Sequence, residues 1–435
     1  MIESFFAGLE AVDDFFWSYL GFMIVVAAGI YFTAKSKFFQ FRTLANPKQM
    51  VADLRASSDK EACGTSPIRL YFASVGGMIG IGNIVGVITS LVLGGPGALL
   101  WLWVASFAGM LIKYAEIYLG VRHRVKNDRG GYDGGPMYYL REAFNSKVIS
   151  TVVCVLLCIY GVEVYQFVVV TDTMVNVLDV NRYLVIAVLL GMTLFTALGG
   201  VKRLANICSV MMPGFMMAYV LMCLYVIGVN IELLPGIVKT VIDSAFNGHA
   251  AVGGFAGSTV IAAAQYGIAR AVYSGDIGIG YDATIQSETK CNKPEYQARV
   301  AIFALLSDSI ICTMSMLVVL MTGIWKTTEK MLPSEFVAKA LSIYFPYIEI
   351  FMGVLLFLAA FTTIIAFFTV GMKCARFLSN KWGEKLYTVY AMAAFVFFSF
   401  FDQTKVMLIM NVCAGMLMLL NITGIWKMRK EIKFK

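Results

Sequence analysis

The sequence has 435 residues, of which 59% are hydrophobic and only 14% are charged, and its mean hydropathy is +0.76. Soluble domains carry about 25% charged residues, so this chain could not cover a water-exposed surface with polar groups. Apolar runs of about 20 residues, the length that crosses the hydrocarbon layer, recur along the whole chain. The composition therefore excludes a soluble protein and predicts an all-α integral membrane protein.

The first fourteen residues contain four acidic residues and no basic one. Because a secretory signal peptide begins with a basic region, we do not expect this segment to be one. The nine cysteines are scattered and contain no Cys-x-x-Cys pair. We interpret them as small core residues that imply no cofactor.

Apolar runs bounded by charged residues, glycine or proline predict eleven transmembrane helices. Their predicted bounds are Phe15–Ala34, Arg69–Leu93, Ala98–Val121, Val148–Val170, Tyr183–Leu198, Leu204–Val229, Gly253–Ser274, Ala298–Gly323, Ile348–Leu378, Leu386–Phe401 and Val406–Lys427. Three other stretches mix apolar and charged residues: Lys35–Ala56, Leu233–Phe246 and Pro333–Phe345. We interpret these as amphipathic segments along the membrane surface, with solvated loops as the alternative.

The basic residues are distributed unevenly between the two sides of the predicted membrane region. The loops on one side contain 27 lysines and arginines, and those on the other side contain 6. Because cytoplasmic loops carry the excess of basic residues, the N-terminus is predicted outside and the C-terminus in the cytoplasm of a bacterial inner membrane. The net charge of +8 then reflects orientation, and we expect a lipid bilayer but no nucleic acid as partner.

Two of the predicted helices contain clusters of glycine. The second has five glycines from Gly76 to Gly86, and the seventh ends in the sequence Ser274-Gly275-Asp276-Ile277-Gly278-Ile279-Gly280. Each glycine destabilises a helix by about 0.5–1 kcal/mol relative to alanine. Unwound backbone inside a membrane must be buried in protein or line a polar cavity, where its N–H and C=O groups can bind a carboxylate, an ammonium or a cation. Close helix packing through Gly76-x-x-x-Gly80 is the alternative.

The two glycine clusters fall at matching places in the chain. Counted from the second helix, ten helices form two sets of five, and each set begins with a glycine-rich helix. Because five is odd, the two sets have opposite orientations, and broken helices at matching places in inverted halves indicate a secondary transporter. We therefore divide the chain into 1–68, an extra helix and a cytoplasmic segment; 69–230, the first repeat; and 231–435, the second repeat.

An enzymatic function is not predicted. The Gly-Tyr-Asp sequences that end at Asp133 and Asp282 resemble those of intramembrane aspartyl proteases, which need two aspartates on facing helices at one depth. Asp133 is expected in a charged loop and Asp282 at a membrane exit. The two histidines, His123 and His249, both fall in predicted loops and suggest neither a metal cluster nor a proton relay.

Short motifs are distributed from about Trp17 to Trp426. They are Gly80-Ile81-Gly82-Asn83, Leu93-Gly94-Gly95-Pro96-Gly97-Ala98 with Trp101 and Trp103, Gly109-Met110-Leu111-Ile112-Lys113-Tyr114-Ala115-Glu116, Gly134-Gly135-Pro136-Met137-Tyr138-Tyr139, Gly253-Gly254-Phe255-Ala256-Gly257, Ala269-Arg270 before Ser274, and Phe361-Thr362-Thr363-Ile364. In this order they resemble the alanine or glycine:cation symporter family, the bacterial sodium:alanine symporters of the amino acid–polyamine–organocation superfamily. The resemblance implies a leucine-transporter-type fold with ten core helices and one extra N-terminal helix, in agreement with the two sets of five.

The resemblance also implies sodium-coupled import of a small neutral amino acid by alternating access. The alternative is a proton-coupled or ion-independent transporter of another amino acid or small solute. A channel is disfavoured because the sequence has no filter-like repeat. The oligomeric state is left open.

Carried over to this chain, the resemblance implies a sodium site between the second and ninth predicted helices. Its ligands would be the carbonyl oxygens of Gly76, Ile79 and Ala359 and the hydroxyls of Thr362 and Thr363. Five neutral oxygens suit a hard monovalent cation. Either threonine could instead bond only to its own helix.

The resemblance places substrate at both glycine clusters. The implied contacts are Ile81, Gly82, Asn83, Gln166, Ser274, Gly275, Asp276, Ile277, Gly278 and Phe367. Gln166 lies in an apolar run, where a buried amide needs partners, so it faces either the cavity or a neighbouring helix. Lys113 and Glu116, one turn apart, are expected to form an internal pair with a structural or gating role, and Arg270 is expected to act likewise.

Three positions depart from the usual family pattern. Ile81 replaces threonine in Gly-Thr-Gly-Asn, Gly275-Asp276-Ile277 replaces Asn-Glu-Ala in Ser-Asn-Glu-Ala-Gly, and Phe367 replaces a tryptophan. These changes predict a reshaped and less polar pocket. The sequence therefore leaves the substrate itself open.

Overall fold

The computed structural model describes residues 2–56, 63–247, 259–326, 331 and 333–434. His249 and the Gly253–Gly257 motif lie outside these residues. The chain is nearly all helical, at 82%. A two-residue antiparallel hairpin of β1 (Val125–Lys126) and β2 (Tyr132–Asp133) pairs Val125 with Asp133.

Twelve α-helices precede residue 230 in the described ranges. They are α1 (Ile2–Phe15), α2 (Phe22–Lys35), α3 (Phe39–Leu44), α4 (Pro47–Ala56), α5 (Pro67–Met78), α6 (Val87–Gly94), α7 (Ala98–Arg122), α8 (Pro136–Phe144), α9 (Lys147–Tyr160), α10 (Val164–Leu178), α11 (Arg182–Ala197) and α12 (Gly200–Val229). Two π-helical segments, Phe16–Gly21 and Gly82–Gly86, join α1 to α2 and lead into α6.

The described part of the second half contains nine α-helices. They are α13 (Leu234–Asn247), α14 (Val260–Gly275), α15 (Tyr281–Gln286), α16 (Pro294–Ala298), α17 (Val300–Thr322), α18 (Pro333–Ser342), α19 (Ile348–Leu378), α20 (Gly383–Phe398) and α21 (Gln403–Lys427). Short 3₁₀ turns cover Ile231–Leu233 and Ile324–Lys326.

The membrane-spanning character follows from helix length and composition. In the described ranges, seven helices are long and apolar enough to cross a membrane, or eight if the bent pair α5 and α6 forms one span. Several of the other predicted spans are shorter helices, such as the 16-residue α11, α14 and α20. The total of eleven therefore remains a prediction.

Three predicted segments differ in detail from the structure. The first predicted span, Phe15–Ala34, belongs to a helical run from Ile2 to Lys35. The fourth is broken after Tyr160, because Glu163 adopts a left-handed conformation with φ 51° before α10 begins. The stretches expected to be amphipathic contain helices α3, α4, α13 and α18.

Helix α7 lies at the centre of the fold, packed against α2, α14 and α17, while α19 packs against α9 and α10. The approach of α14 to α7 depends on glycine. A Cβ atom on Gly267 would lie 2.4 Å from the carbonyl oxygen of Ala98. Helix α14, which leads into the second glycine cluster, is thus held against α7 at close range.

Candidate substrate and cation site

The first glycine cluster breaks its helix, as predicted. Helix α5 ends at Met78, Ile79 is extended (ψ 90°), and the chain bends by 53° between α5 and the helical turns that follow Ile81. The N–H of Gly80 donates to the carbonyl of Met78 at 3.2 Å and to Asn83 Oδ1 at 3.1 Å. The carbonyl of Gly76 therefore loses its usual helical partner and instead accepts a hydrogen bond from Thr363 Oγ1.

The second glycine cluster also breaks its helix, immediately after Gly275. Asp276, Gly278 and Gly280 all have positive φ angles, of 49°, 76° and 109°. Glycine tolerates this region without the steric cost of a side chain. The chain thus leaves α14, makes a compact turn and resumes as α15.

Gln166 contacts the first break directly. Its side chain is 3% exposed, and its Oε1 atom accepts a hydrogen bond from the N–H of Ile81 at 3.1 Å. A Cβ atom on Gly80 would lie 2.6 Å from Thr363 Oγ1 and 2.9 Å from Gln166 Nε2. Gly80 is therefore the point at which α10 and α19 approach the broken helix.

One buried carboxylate joins the two breaks. Asp308 on α17 is fully buried; its Oδ1 accepts from Asn83 Nδ2 at 2.6 Å, and its Oδ2 accepts from Ser274 Oγ at 3.0 Å. This residue is not among those predicted from sequence. Its signal was present, because Asp308 is the only acidic residue in the predicted span Ala298–Gly323, and intramembrane carboxylates are commonly functional.

Three of the five oxygens predicted to bind sodium lie together. Thr363 Oγ1 lies 3.3 Å from the carbonyl oxygen of Gly76 and 3.0 Å from that of Ala359. The hydroxyl of Thr362 instead donates to the carbonyls of Leu358 and Ala359 on its own helix. This set of neutral oxygens, placed where a helix unwinds, suits a hard monovalent cation. The complete ligand set, including Ile79, stays a prediction.

Lys113 and Glu116 do not pair with each other, which corrects the expectation from sequence. Lys113 Nζ lies 2.8 Å from Asp282 Oδ2 and 3.6 Å from Asp276 Oδ2, and it donates to the carbonyl of Gly275 at 2.5 Å. All these side chains are at most 1% exposed. Lys113 on α7 therefore neutralises the negative charge of these aspartates at the second break.

Asp282, which is predicted at a membrane exit, lies in the interior of the protein. Its side chain is completely buried, and its Oδ1 accepts a hydrogen bond from Ser74 Oγ at 2.5 Å. Because it pairs with Lys113 in the interior, α15 is anchored to α5 and α7 at once. Asp133, as expected, lies outside, in the hairpin.

The polar backbone groups of the second break form hydrogen bonds mainly with other groups of the protein. The N–H of Gly278 donates to Glu116 Oε2 at 3.1 Å, and its carbonyl accepts from Asn421 Nδ2 at 2.9 Å. Asp276 turns its carboxylate toward Lys113. Of the predicted substrate contacts, Asn83, Gln166 and Ser274 thus cluster at the first break with Asp308, whereas Gly275, Asp276 and Gly278 face α7 or α21.

Phe367 packs in an aromatic group beside α15. Its ring stacks on Tyr281 with centroids 4.2 Å apart and meets Tyr160 edge-on at 5.3 Å. Tyr281 in turn donates to the carbonyl of Ala73 at 2.8 Å. Phe367 therefore connects α19 to α15 and, through Tyr281, to α5.

The site is closed to solvent in this conformation. Asn83, Gln166, Ser274, Thr363 and Phe367 are each at most 4% exposed. Two cavities lie outside it: one of about 440 Å³ lined by residues of α1, α6, α14 and α21, and one of about 310 Å³ lined by residues of the β1–β2 hairpin, α19 and the turn between α11 and α12.

Ion pairs involve residues that line the smaller cavity. Lys373 on α19 contacts Glu288 at 2.9 Å, Arg376 pairs with Asp133, and Arg129 pairs with Glu384 at 2.8 Å. The hydrogen bond to Glu384 raises the pKa of Arg129 above its ordinary value. These contacts tie the segment that follows α15 to α19, and they tie the β1–β2 hairpin to α19 and α20.

A solved structure has the same fold. The structure of MhsT in complex with L-phenylalanine aligns with a TM-score of 0.60 and 13% sequence identity, over 84% of this chain and 89% of that chain. The fold is therefore of the leucine-transporter type.

Sequence relatives identify the family. An uncharacterized transporter of Haemophilus influenzae is 31% identical over 98% of this chain and 94% of its own length. The sodium/alanine symporter AgcS of Methanococcus maripaludis is 27% identical over 91% of this chain and 88% of its own length. The profile of the Sodium:alanine symporter family matches residues 3–434. The chain belongs to the sodium:alanine symporter family and is a multi-pass membrane transporter, not an enzyme.

Proposed function

We propose that this protein is a sodium-coupled symporter that imports a small neutral amino acid across a bacterial inner membrane, with its N-terminus outside. The observation that carries the proposal is that two kinds of groups contact one helix break: oxygens suited to sodium, and polar side chains suited to an amino acid. The carbonyl of Gly76 lies with Thr363, while Ile81 and Asn83, a few residues on, contact Gln166 and Asp308. An ion and a substrate bound there would stabilise the same backbone geometry.

The first break offers both polarities that a zwitterionic amino acid requires. The N–H groups of Gly80 and Ile81, which donate to Asn83 and Gln166 in this conformation, could instead bind a carboxylate, and Asp308 could bind an ammonium. The AgcS relative named as a sodium/alanine symporter supports this substrate class. Ile81, buried at the first break, would supply an apolar wall that favours a neutral side chain.

Alternating access follows from the arrangement of contacts. A sodium ion held between Gly76 and Thr363 would tie α5 to α19, and a substrate would tie α5–α6 to α14. Opening toward the cytoplasm requires the pairs Lys373–Glu288 and Arg376–Asp133 to separate. Ion and substrate drive the cycle only through their different affinities for the two states. We assign residues 69–230 and 231–435 as the two inverted repeats of the transporter.

A proton-coupled transporter is the second candidate, and one observation favours it. Asp276 and Asp282 lie against Lys113 and Glu116 lies near it, and all four side chains are buried. Three ionised carboxylates with one ammonium would leave net negative charge in the protein interior, which is costly. A proton on one of these carboxylates would reduce that cost.

Uptake into proteoliposomes distinguishes these functions. Twenty L-amino acids are tested with an inward sodium gradient, with choline in place of sodium, and with an inward proton gradient alone. We expect uptake of at least one small neutral amino acid only with sodium. Equal uptake in choline, or uptake driven by protons alone, would overturn the sodium assignment, and no uptake of any amino acid would overturn the substrate class.

A further inference from the structure

Two cations meet where α2 and α21 end. Lys35 is the last residue of α2, and Arg429 follows the last residue of α21 by two positions. The ammonium of Lys35 donates a hydrogen bond to the backbone carbonyl of Arg429, and the two positive charges repel each other. Both helices end on the side that carries the excess of basic loops. This is the side predicted to be cytoplasmic.

No carboxylate within the described ranges neutralises these two cations, since none lies within 4 Å of either side chain. Glu431, two residues beyond Arg429, pairs instead with Arg122 at 3.0 Å and lies 3.3 Å from His123 Nε2. Because like charges that lie close together are unfavourable, an anion between Lys35 and Arg429 would be stabilising. The pair therefore offers a site for an anionic group.

Two aromatic rings adjoin the cations. Tyr31 on α2 and Trp426 on α21 contact each other with ring centroids 4.5 Å apart. The guanidinium carbon of Arg429 lies 4.8 Å from the Trp426 ring, and Lys35 Nζ lies 6.0 Å from the Tyr31 ring. Tyrosine and tryptophan are enriched where the hydrocarbon layer meets the headgroups. The aromatic pair therefore indicates that the two cations lie at the level of the lipid headgroups.

Exposed stripes lead from this point along both helices, which pack against each other. They consist of residues spaced three or four apart: Met23, Ala27, Ile30 and Ala34 on α2, and Met416, Leu419, Thr423 and Trp426 on α21. At 1.5 Å per residue each stripe rises by about 15–16 Å, which is about half of the 30 Å hydrocarbon layer. The two stripes thus match the depth of one leaflet, with the cations at its polar boundary.

We propose that the junction of α2 and α21 is a binding site for an anionic phospholipid. Its phosphate lies between the Lys35 ammonium and the Arg429 guanidinium, and its acyl chains lie along the two stripes. A zwitterionic headgroup binds less well, because its own ammonium would add a third positive charge beside the pair. Basic sites between helices on the cytoplasmic side bind acidic headgroups through the same complementarity.

The bound lipid would connect two parts of the fold. Helix α2 belongs to the extra N-terminal segment, whereas α21 is the last of the ten helices predicted to form the core. A phosphate that binds a cation of each helix end would hold them together and relieve their repulsion. This inference goes beyond the proposed function and does not depend on which solute is transported.

Lipid binding to the purified protein tests the proposal. The delipidated full chain in detergent is titrated with phosphatidylglycerol, which has one negative charge, and separately with phosphatidylcholine, which has no net charge. Native mass spectrometry counts the bound lipids. We expect one phosphatidylglycerol per chain to bind at least tenfold more tightly than phosphatidylcholine. Lys35→Gln should weaken that binding about fivefold, and Lys35→Gln/Arg429→Gln about thirtyfold.

A matched control removes two other cations from the same side of the protein. Arg141→Gln/Lys147→Gln changes the net charge equally, at exposed residues of α8 and α9, and should bind phosphatidylglycerol as the wild type does. The swap Lys35→Arg/Arg429→Lys keeps both charges and should remain within about threefold of the wild type. Size-exclusion chromatography checks that each variant is folded, and the comparison of the two lipids on the wild type needs no variant.

The contrary outcomes are distinct. Equal affinity of the wild type for the two lipids, or unchanged phosphatidylglycerol affinity in Lys35→Gln/Arg429→Gln, would overturn the site. Glycerol phosphate, which has the anionic group but no acyl chains, should not displace the lipid at the same concentration. Displacement would show that the cations bind any phosphate and would overturn the assignment to a lipid.

Discussion

The side-chain amide of Asn83 donates a 2.6 Å hydrogen bond to Asp308, and the second oxygen of that carboxylate accepts from Ser274 at 3.0 Å. Asn83 follows the first break and Ser274 precedes the second, so one buried residue on α17 joins both broken helices. Hydrogen bonds to charged groups contribute about 1.5–3 kcal/mol each. The positions of the two broken helices are therefore energetically coupled through Asp308.

The substitution Asp308→Asn should uncouple the two breaks. The amide has nearly the same shape but loses the charge, and its nitrogen cannot accept the hydrogen bond from Ser274. We expect kcat/KM for sodium-driven uptake to fall about tenfold or more, as the loss of one charged hydrogen bond implies. The control Asp128→Asn, at an exposed hairpin residue, should change uptake less than twofold. Wild-type uptake by Asp308→Asn would show that this carboxylate has no role in transport.

The hydroxyl of Thr363 is predicted to matter more than that of its neighbour. Thr363 reaches the carbonyl of Gly76 on another helix, whereas Thr362 donates to its own helix. Thr363→Val should raise the sodium concentration for half-maximal uptake about tenfold, and Thr362→Val should raise it less. Thr171→Val is the matched control, since that buried hydroxyl also donates only to its own helix. An unchanged sodium requirement in Thr363→Val would refute the ion site.

A methyl group on Gly80 should block the site. Its Cβ would meet Thr363 Oγ1 at 2.6 Å and the Gln166 amide at 2.9 Å, so α10 or α19 would have to move. We expect Gly80→Ala to express but to lose at least nine-tenths of its uptake. Gly191→Ala on α11, where the added methyl meets no atom within 4 Å, should behave as the wild type. Equal activity of the two variants would contradict the tight packing at the break.

Lys113 should be required mainly for stability. Its removal leaves Asp276 and Asp282 buried without their cation, and breaking a buried ion pair costs about 3–5 kcal/mol. Lys113→Met should therefore lower the thermal unfolding temperature markedly. The double variant Lys113→Met/Asp282→Asn should recover part of that loss, because one uncompensated charge is removed. Failure of the second substitution to restore any stability would argue against this pair as the source of the cost.

The sequence was sufficient to predict the features that depend on local composition. Clustered glycines predicted both breaks, and an amide in an apolar run marked Gln166 as a residue with a specific partner. The family resemblance correctly indicated the family and the leucine-transporter-type fold. Each of these signals is contained in a short stretch of residues.

Features that depend on which helices meet could not be read from one sequence. Lys113 and Glu116 are one turn apart, which suggested a local pair, but the fold brings α15 beside α7 and Lys113 pairs with Asp282 instead. Asp308 stands alone in its span, and its partners on α14 and after α5 become visible only in three dimensions. The break after Tyr160 was missed because only Gly161 marks it and the apolar run continues on either side.

The most direct test of the account is the dependence of amino-acid affinity on sodium. The purified transporter is titrated with the transported amino acid at sodium concentrations from zero to saturating, with choline maintaining ionic strength. Because sodium and substrate are proposed to stabilise the same break, affinity should rise at least tenfold with sodium, and the amino acid should tighten sodium binding by the same factor. In Thr363→Val this mutual effect should be largely lost. An amino-acid affinity that is the same with and without sodium would contradict the account.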